Sequence, residues 1–201
     1  MRIAILGAGN VGAGLGKAFA AGGHDVVFGV RDPDSTKTLA ALAEIPEAEA
    51  VSPADAVEGA DVIFVAVRPV AINATVAELP SLAGRIVIDA MNRFDADASS
   101  HSTTQDLAQR LPGAKLAKAF NNTGFENFTT AAARAVPAAM FVAGDDADAK
   151  RVAMELATQI GFRPEDAGGL ANAKVLEEMV RVWTALATVH GRTVAFAVSE
   201  G

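Results

Sequence analysis

Arg2-Ile3-Ala4-Ile5-Leu6-Gly7-Ala8-Gly9-Asn10-Val11-Gly12 decides the fold, together with His24-Asp25-Val26-Val27-Phe28-Gly29-Val30-Arg31 downstream. An apolar run enters a Gly-x-Gly-x-x-Gly turn, a small-residue helix follows, and a second apolar run arrives where a βαβ unit needs it. Gly7 permits the tight turn, Gly9 lets the backbone approach a pyrophosphate, and Gly12 lets helix and strand pack closely. The helix start at Asn10 and Val11 offers free N–H groups and the positive end of a dipole to a doubly charged ligand. The pattern predicts a dinucleotide site.

The end of the second strand says which dinucleotide. Sites for NAD place Asp or Glu there to hold ribose hydroxyls, and that carboxylate repels a 2′-phosphate. Here the position holds Val30, with Arg31 next and Lys37 a few residues on. A guanidinium pairs with phosphate through two parallel hydrogen bonds and stacks on adenine. The reading is therefore NADP(H) over NAD(H), with Asp32 as a ribose ligand should the strand end one residue later.

The 201 residues suit one domain, or one domain with a small appendage. The expected class is α/β, a Rossmann-type doubly wound parallel sheet with a small C-terminal helical extension. There is no cysteine, which excludes thiol catalysis, disulfides and cysteine-held metal. His24, His101 and His190 lie far apart, so no metal site is assigned. A net charge of −7 lacks the basic footprint of a nucleic-acid binder. No apolar run is long enough to span a membrane. The strand-like opening has no signal-peptide character, and the expected location is the cytoplasm.

Short apolar runs predict parallel strands at Arg2–Leu6, Val26–Val30, Val62–Val67, Ile86–Asp89, Lys115–Phe120 and Ala139–Ala143. Ser52-Pro53-Ala54-Asp55 reads as a capped helix start, and Pro69 opens the next helix. Asp145 and Asp148 are candidate caps for a helix running to Gly161. Asp95–Thr104 is the most loop-like segment. From Leu170 the chain reads as one long helix. Its stripe of Leu176, Met179, Val180, Trp183, Leu186 and Ala187 suits either packing on the sheet or a homodimer seam. A soft boundary near Phe120 divides a dinucleotide-binding region (1–120) from a small C-terminal segment (121–201).

In a doubly wound sheet, ligands collect at the carboxyl ends of the strands. Besides the glycine turn and Arg31, those ends carry Ala66-Val67-Arg68-Pro69, Asp89-Ala90-Met91-Asn92-Arg93 and Phe120-Asn121-Asn122-Thr123-Gly124. The crevice holds amides, glycines and arginines but no acid–base pair. Without tyrosine, Tyr-Lys acid catalysis is impossible. Lys118 and Asn122 match the Lys-x-x-x-Asn spacing of β-hydroxyacid dehydrogenases, but that pair belongs on a helix and Lys118 falls in a strand-like run. No catalytic residue is assigned. Direct hydride transfer between two bound cofactors needs mainly positioning and exclusion of water.

Lys118-Ala119-Phe120-Asn121, Gly144-Asp145-Asp146 with Ala149-Lys150, and Gly161-Phe162-Arg163-Pro164-Glu165-Asp166-Ala167-Gly168-Gly169-Leu170 leading to Leu176-Glu177 carry a resemblance. Nearly the whole chain is similar to the NADPH-dependent reductases of the deazaflavin coenzyme F420. The ferric reductases of the STEAP type share that dinucleotide domain. The resemblance implies NADP(H) across the glycine turn, its 2′-phosphate held at Gly29, Val30 and Arg31. It implies a nicotinamide near Ala66, Val67, Asn92 and Asn121, and it places Arg68 on the second-cofactor side; Asn122, in the same crevice, is a further candidate cofactor-binding residue. It also implies F420 or a flavin as second substrate. Members often have a hydroxyl residue where Val30 stands, so one phosphate hydrogen bond is missing. Arg68 stands where proline is frequent, and Met91-Asn92-Arg93 replaces a Thr-Asn-Pro-like turn. These arginines suit either a different anionic acceptor or the phosphorylated, acidic deazaflavin tail. The implied partner is a small-molecule redox acceptor. The alternatives are an imine or hydroxyacid reductase using Lys118, and a non-catalytic NADP(H)-binding redox sensor.

Overall fold

In β1 (Arg2–Leu6) every residue from Ile3 onward is buried, and β4 (Val62–Val65) is buried throughout. Strands covered on both faces are continuous apolar runs, and such strands pair in parallel through helical crossovers. With β2 (Asp25–Gly29), β3 (Glu49–Val51), β5 (Ile86–Asp89) and β6 (Lys115–Lys118), they form a sheet in the order β3-β2-β1-β4-β5-β6. All its pairs are parallel. This is the Rossmann order, which reverses direction between β1 and β4. The computed structural model describes residues 1–94 and 101–199.

Side-chain caps start the covering helices. Ser35 accepts from the Thr38 amide at the head of α2 (Thr36–Glu44), and Ser52 accepts from Asp55 at the head of α3 (Pro53–Val57). Each such cap contributes about 1 kcal/mol. α1 (Asn10–Ala21) buries Leu15 and Phe19 against the sheet. Phe19, Phe64, Phe120 and Phe128 then form an aromatic chain, with centroids of successive contacts 5.1 to 6.2 Å apart. Phe120 has φ of 60°, a backbone strain of about 1–3 kcal/mol held in place by that packing.

Beyond β6, β7 (Ala139–Val142) pairs in parallel with a further strand, Arg163–Asp166 (β8). Mutual backbone bonds between Lys118 and Ala143, 2.7 and 3.0 Å, stitch this pair to the main sheet. A single 3₁₀ turn (Leu170–Asn172) leads into the last helix, Ala173–His190. The tail returns across β7, where the Ala139 amide donates to Phe196 O at 2.8 Å.

The expected elements differ from these in definite ways. β3 and β8 are absent from the sequence reading, because Glu49-Ala50-Val51 and Arg163-Pro164-Glu165-Asp166 contain no apolar run. The second, third, fifth and sixth anticipated runs each end one or two residues early: Val30, Val67 and Phe120 already lie in loops, and Ala143 forms an isolated bridge with Lys118. Pro69 opens a 3₁₀ turn (Pro69–Ala71) before α4 (Ile72–Val76). Of the loop-like stretch, residues 95–100 lie outside the described residues. Thr103 already belongs to α5 (Thr103–Arg110), started by a capping box of Ser102 and Gln105. Asp146 caps α6 (Ala147–Gln159), whereas Asp145 accepts from the Leu170 amide instead. The last helix, labelled α7, buries Leu176, Val180 and Trp183 of its stripe, while Met179, Leu186 and Ala187 are half-buried.

Candidate functional site

Three glycines build the turn between β1 and α1, each for a different reason. Gly7 has φ of 106°, and a Cβ there would stand 2.8 Å from Ala66 O, so no side chain fits. A Cβ on Gly12 would approach Gly7 O to 1.9 Å, because the helix lies directly on the turn. At Gly9, apart from its chain neighbours, no atom of the described residues lies within 4 Å of the Cβ position. Gly9 therefore faces open space where α1 begins with neither a side-chain cap nor an acidic residue in its first turn. Uncapped amides at a helix start attract an anion.

Two adjoining cavities meet over this turn. The smaller, about 240 Å³, has Gly7, Val30, Arg31, Asp32, Ser35 and Thr38 on its walls. The larger, about 760 Å³, runs from Asn10 and Val11 past Ala66, Val67 and Arg68 to Met91 and Asn92. Gly9, Lys37 and Val67 line both. The fold thus assembles Gly7, Gly9, Asn10, Val11, Val30, Arg31, Lys37, Ala66, Val67, Arg68 and Asn92. Gly12, Asn121 and Asn122 do not reach the cavity surface. Gly12 sits behind the turn. Asn122 is fully buried and donates to Ala139 O at 3.2 Å.

Asn121 acts through Asn92. Its Nδ2 donates to Asn92 Oδ1 at 2.9 Å, while Asn92 Nδ2 donates to Asn121 O at 2.8 Å. Asn121 Nδ2 also donates to Leu176 O at 2.9 Å, tying the pair to α7. Asn92 keeps one N–H and one lone pair for a ligand, in an orientation fixed by its partner.

Lys118 cannot touch a substrate. It is completely buried, with Nζ 3.1 Å from Asp89, 2.8 Å from Glu177, 2.9 Å from Thr103 Oγ1 and 2.5 Å from Met91 O. Thr103 and Thr104 donate to Asp89 as well. The structure agrees with the reading that set the hydroxyacid-dehydrogenase match aside: the Lys-x-x-x-Asn spacing lies across a strand end, and both side chains point into the interior. Removing one member of a buried ion cluster leaves the others uncompensated. Lys118→Ala is expected to cost about 3–5 kcal/mol of folding stability, measured by urea denaturation. A loss below about 1 kcal/mol would contradict a buried, fully engaged lysine. Arg93, read as a crevice arginine, instead forms an ion pair with Asp106.

Part of the site was not visible in the sequence. Val180, Trp183, Thr184, Ala187 and Thr188 make α7 one wall of the larger cavity, and Phe125 and Arg192 complete it. The apolar stripe signalled that α7 packs, but not that it frames a cavity. Nothing in the local pattern around Arg192 announces it.

Fold order, glycine turn and twin cavities define a Rossmann-type oxidoreductase. The family of coenzyme F420-dependent NADP oxidoreductases matches residues 2–93. The F420-dependent NADP reductase of Methanothermobacter thermautotrophicus is 31% identical over 200 residues, covering 89% of this chain and 86% of the relative. The chain belongs to the F420-dependent NADP reductase family. Metalloreductase STEAP3 of Rattus norvegicus is also 31% identical, over 88% of this chain, but this chain spans 36% of that protein's length. Among solved structures, a protein of Arthrobacter sp. FB24 provisionally described as an F420-dependent NADP-reductase superposes with a TM-score of 0.89. It is 26% identical, and both chains are covered completely. A reductive aminase of Aspergillus terreus solved with NADPH shares the fold, with a TM-score of 0.71, 15% identity, and coverage of 94% of this chain and 61% of its own.

Proposed function

We propose that the protein moves hydride between NADP(H) and a deazaflavin of the F420 type, or a related flavin, without a catalytic acid or base of its own. The observation that carries this reading is the meeting of two cavities at Gly9 and Val67, one ending at Arg31 and the other between Asn92 and α7. The space at Gly9 fits a pyrophosphate, and a carboxylate-free strand end followed by Arg31 fits a 2′-phosphate. Bound there, NADPH supplies the hydride.

The chain's residues bind, orient and exclude water. Amides at Asn10 and Val11 face the diphosphate, while Arg31 and Lys37 balance the third phosphate. Asn92, locked by Asn121, orients a carboxamide against Ala66 and Val67. Val180 and Trp183 bury the reacting faces, and holding reacting carbons at ~3–3.5 Å supplies most of the rate gain. Described residues lining the larger cavity include no histidine and no carboxylate, so the proton that accompanies reduction comes from solvent. The imine or hydroxyacid alternative needs Lys118 at the substrate, where burial forbids it. The reading includes a cytoplasmic protein and a homodimer through α7. Among the described residues no helix is long and apolar enough to cross a membrane, and Val175, Val182 and Val189 are exposed along α7.

An anaerobic acceptor screen under NADPH tests the function, with F420, FMN, FAD and ferric chelates side by side. The deazaflavin is expected to be reduced fastest. Tight NADPH binding with no acceptor turned over would favour a redox sensor instead.

A further inference from the structure

Asn92 sits on a turn that is gripped from the interior on both sides of the residue before it. The Met91 amide donates to Asp89 Oδ1 at 2.8 Å, and Met91 O accepts from Lys118 Nζ at 2.5 Å. Both peptide groups flanking Met91 are thereby fixed, and Asn92 follows directly. Met91 and Asn92 line the larger cavity. Asp89 and Lys118 are fully buried beneath it, at the ends of β5 and β6.

The same lysine reaches across to the opposite wall. Its Nζ lies 2.8 Å from Glu177 Oε1, and the Thr103 amide donates to that oxygen, also at 2.8 Å. Glu177 is buried on α7, three residues before Val180 and six before Trp183, both on the cavity wall. One residue earlier, Leu176 O accepts from Asn121, the partner of Asn92. The turn that orients a carboxamide and the helix that covers a ring therefore meet at one ammonium. Apolar packing of Leu176, Val180 and Trp183 holds α7 down, but such contacts are non-directional and tolerate sliding. Hydrogen bonds demand a distance and an angle.

Stability alone does not call for a cluster of this kind. Well-packed apolar side chains of similar volume often do as well, because taking charges out of water is costly. A fully engaged cluster supplies a single geometry instead. An ammonium with three N–H groups, ringed by Asp89, Met91, Thr103 and Glu177, leaves α7 one seat. Geometry matters for transfer between two bound rings, since a misplacement of about 1 Å costs about a hundredfold in rate.

We propose that Lys118 and Glu177 are positioning residues for hydride transfer: their contact sets the separation between Asn92 and the α7 wall, and so the placement of the nicotinamide against its acceptor. The proposal rests on the NADP(H)-to-acceptor reading above. Neither residue touches a ligand. Lys118 acts through Met91 and Asn92, and Glu177 acts through Val180 and Trp183.

The test replaces Glu177, because its loss leaves Lys118 paired with Asp89. Glu177→Leu removes the tie and nearly keeps the volume. Glu177→Gln keeps an oxygen for Lys118 and Thr103, and Glu177→Asp keeps the charge but shortens the reach by one methylene. Circular dichroism fixes a temperature at which each variant is folded. Two readings follow: the single-turnover rate of hydride transfer from bound NADPH to a deazaflavin, and the emission lifetime of bound NADPH, which reports how firmly the nicotinamide is held. Glu177→Leu is expected to slow transfer about tenfold to a hundredfold and to shorten the lifetime, while the NADPH dissociation constant stays within about threefold. Glu177→Gln is expected to restore both readings to within about threefold of wild type. Glu177→Asp falls between them and carries the test if Glu177→Leu does not fold. Wild-type transfer with an unchanged lifetime in Glu177→Leu, or in Glu177→Asp standing in for it, overturns the proposal. So does a loss of NADPH affinity in step with the rate, which reports a collapsed site, and so does a Glu177→Gln variant as slow as Glu177→Leu. A wild type that binds NADPH but reduces no acceptor overturns hydride transfer instead, and the lifetimes then decide the positioning role by themselves.

Discussion

Gly9→Val is expected to raise the NADPH dissociation constant about a hundredfold or more, equivalent to about 2.7 kcal/mol, with the fold intact. Gly9 has φ of −76°, a conformation open to valine, and its carbonyl keeps its bond to the Ala13 amide. Apart from its chain neighbours, no atom of the described residues lies within 4 Å of the new Cβ. The only thing a side chain displaces there is a ligand, and a pyrophosphate at a helix start has no room to retreat. Circular dichroism together with NADPH titration checks both halves. Retained affinity would remove the glycine turn from the binding account.

Arg31→Ala is expected to erase the preference for NADP(H) over NAD(H), a change of about one to two decades in affinity. Arg31 is exposed and has no partner among the described residues, so its removal leaves folding stability unchanged within about 0.5 kcal/mol. Titrating both cofactors against both proteins separates the readings. Equal wild-type affinities would hand the ribose to Asp32, which lines the same cavity but is also engaged with Asp34 N at 3.2 Å.

The central sheet was legible because its strands are buried on both faces and appear as unbroken apolar runs. β3 and β8 were not, since short edge strands such as Glu49–Val51 need no such run and Pro164 argues against a strand. Along the site, legibility followed sequence distance. The glycine turn, Arg31 and Asn92 follow strand ends that local pattern locates, and the fold brings them to the cavities. The strand-like run alone argues against Lys118 as a reactive group, but its decisive partner, Glu177, is a helix residue 59 positions on, and only the fold shows that meeting. Asn121 was placed at the surface of the crevice, yet the turn at Phe120 directs it inward to hold Asn92. Arg192 was missed for the same reason as Glu177. Its environment joins Trp183 on the preceding helix to Phe125 and to Glu126, 66 positions earlier, and no periodicity encodes that meeting.

Trp183 is the single tryptophan, buried in the wall of the larger cavity, and it makes the most direct measurement available. A reduced nicotinamide held between Asn92 and α7 lies close enough to accept its excitation energy. Adding NADPH should quench Trp183 emission to saturation in wild type but not in Gly9→Val. Adding oxidised deazaflavin should then restore the emission as NADPH is consumed. Quenching absent from wild type, or equal in Gly9→Val, would contradict nicotinamide binding in this cavity. Quenching that persists in the presence of every acceptor would contradict hydride transfer.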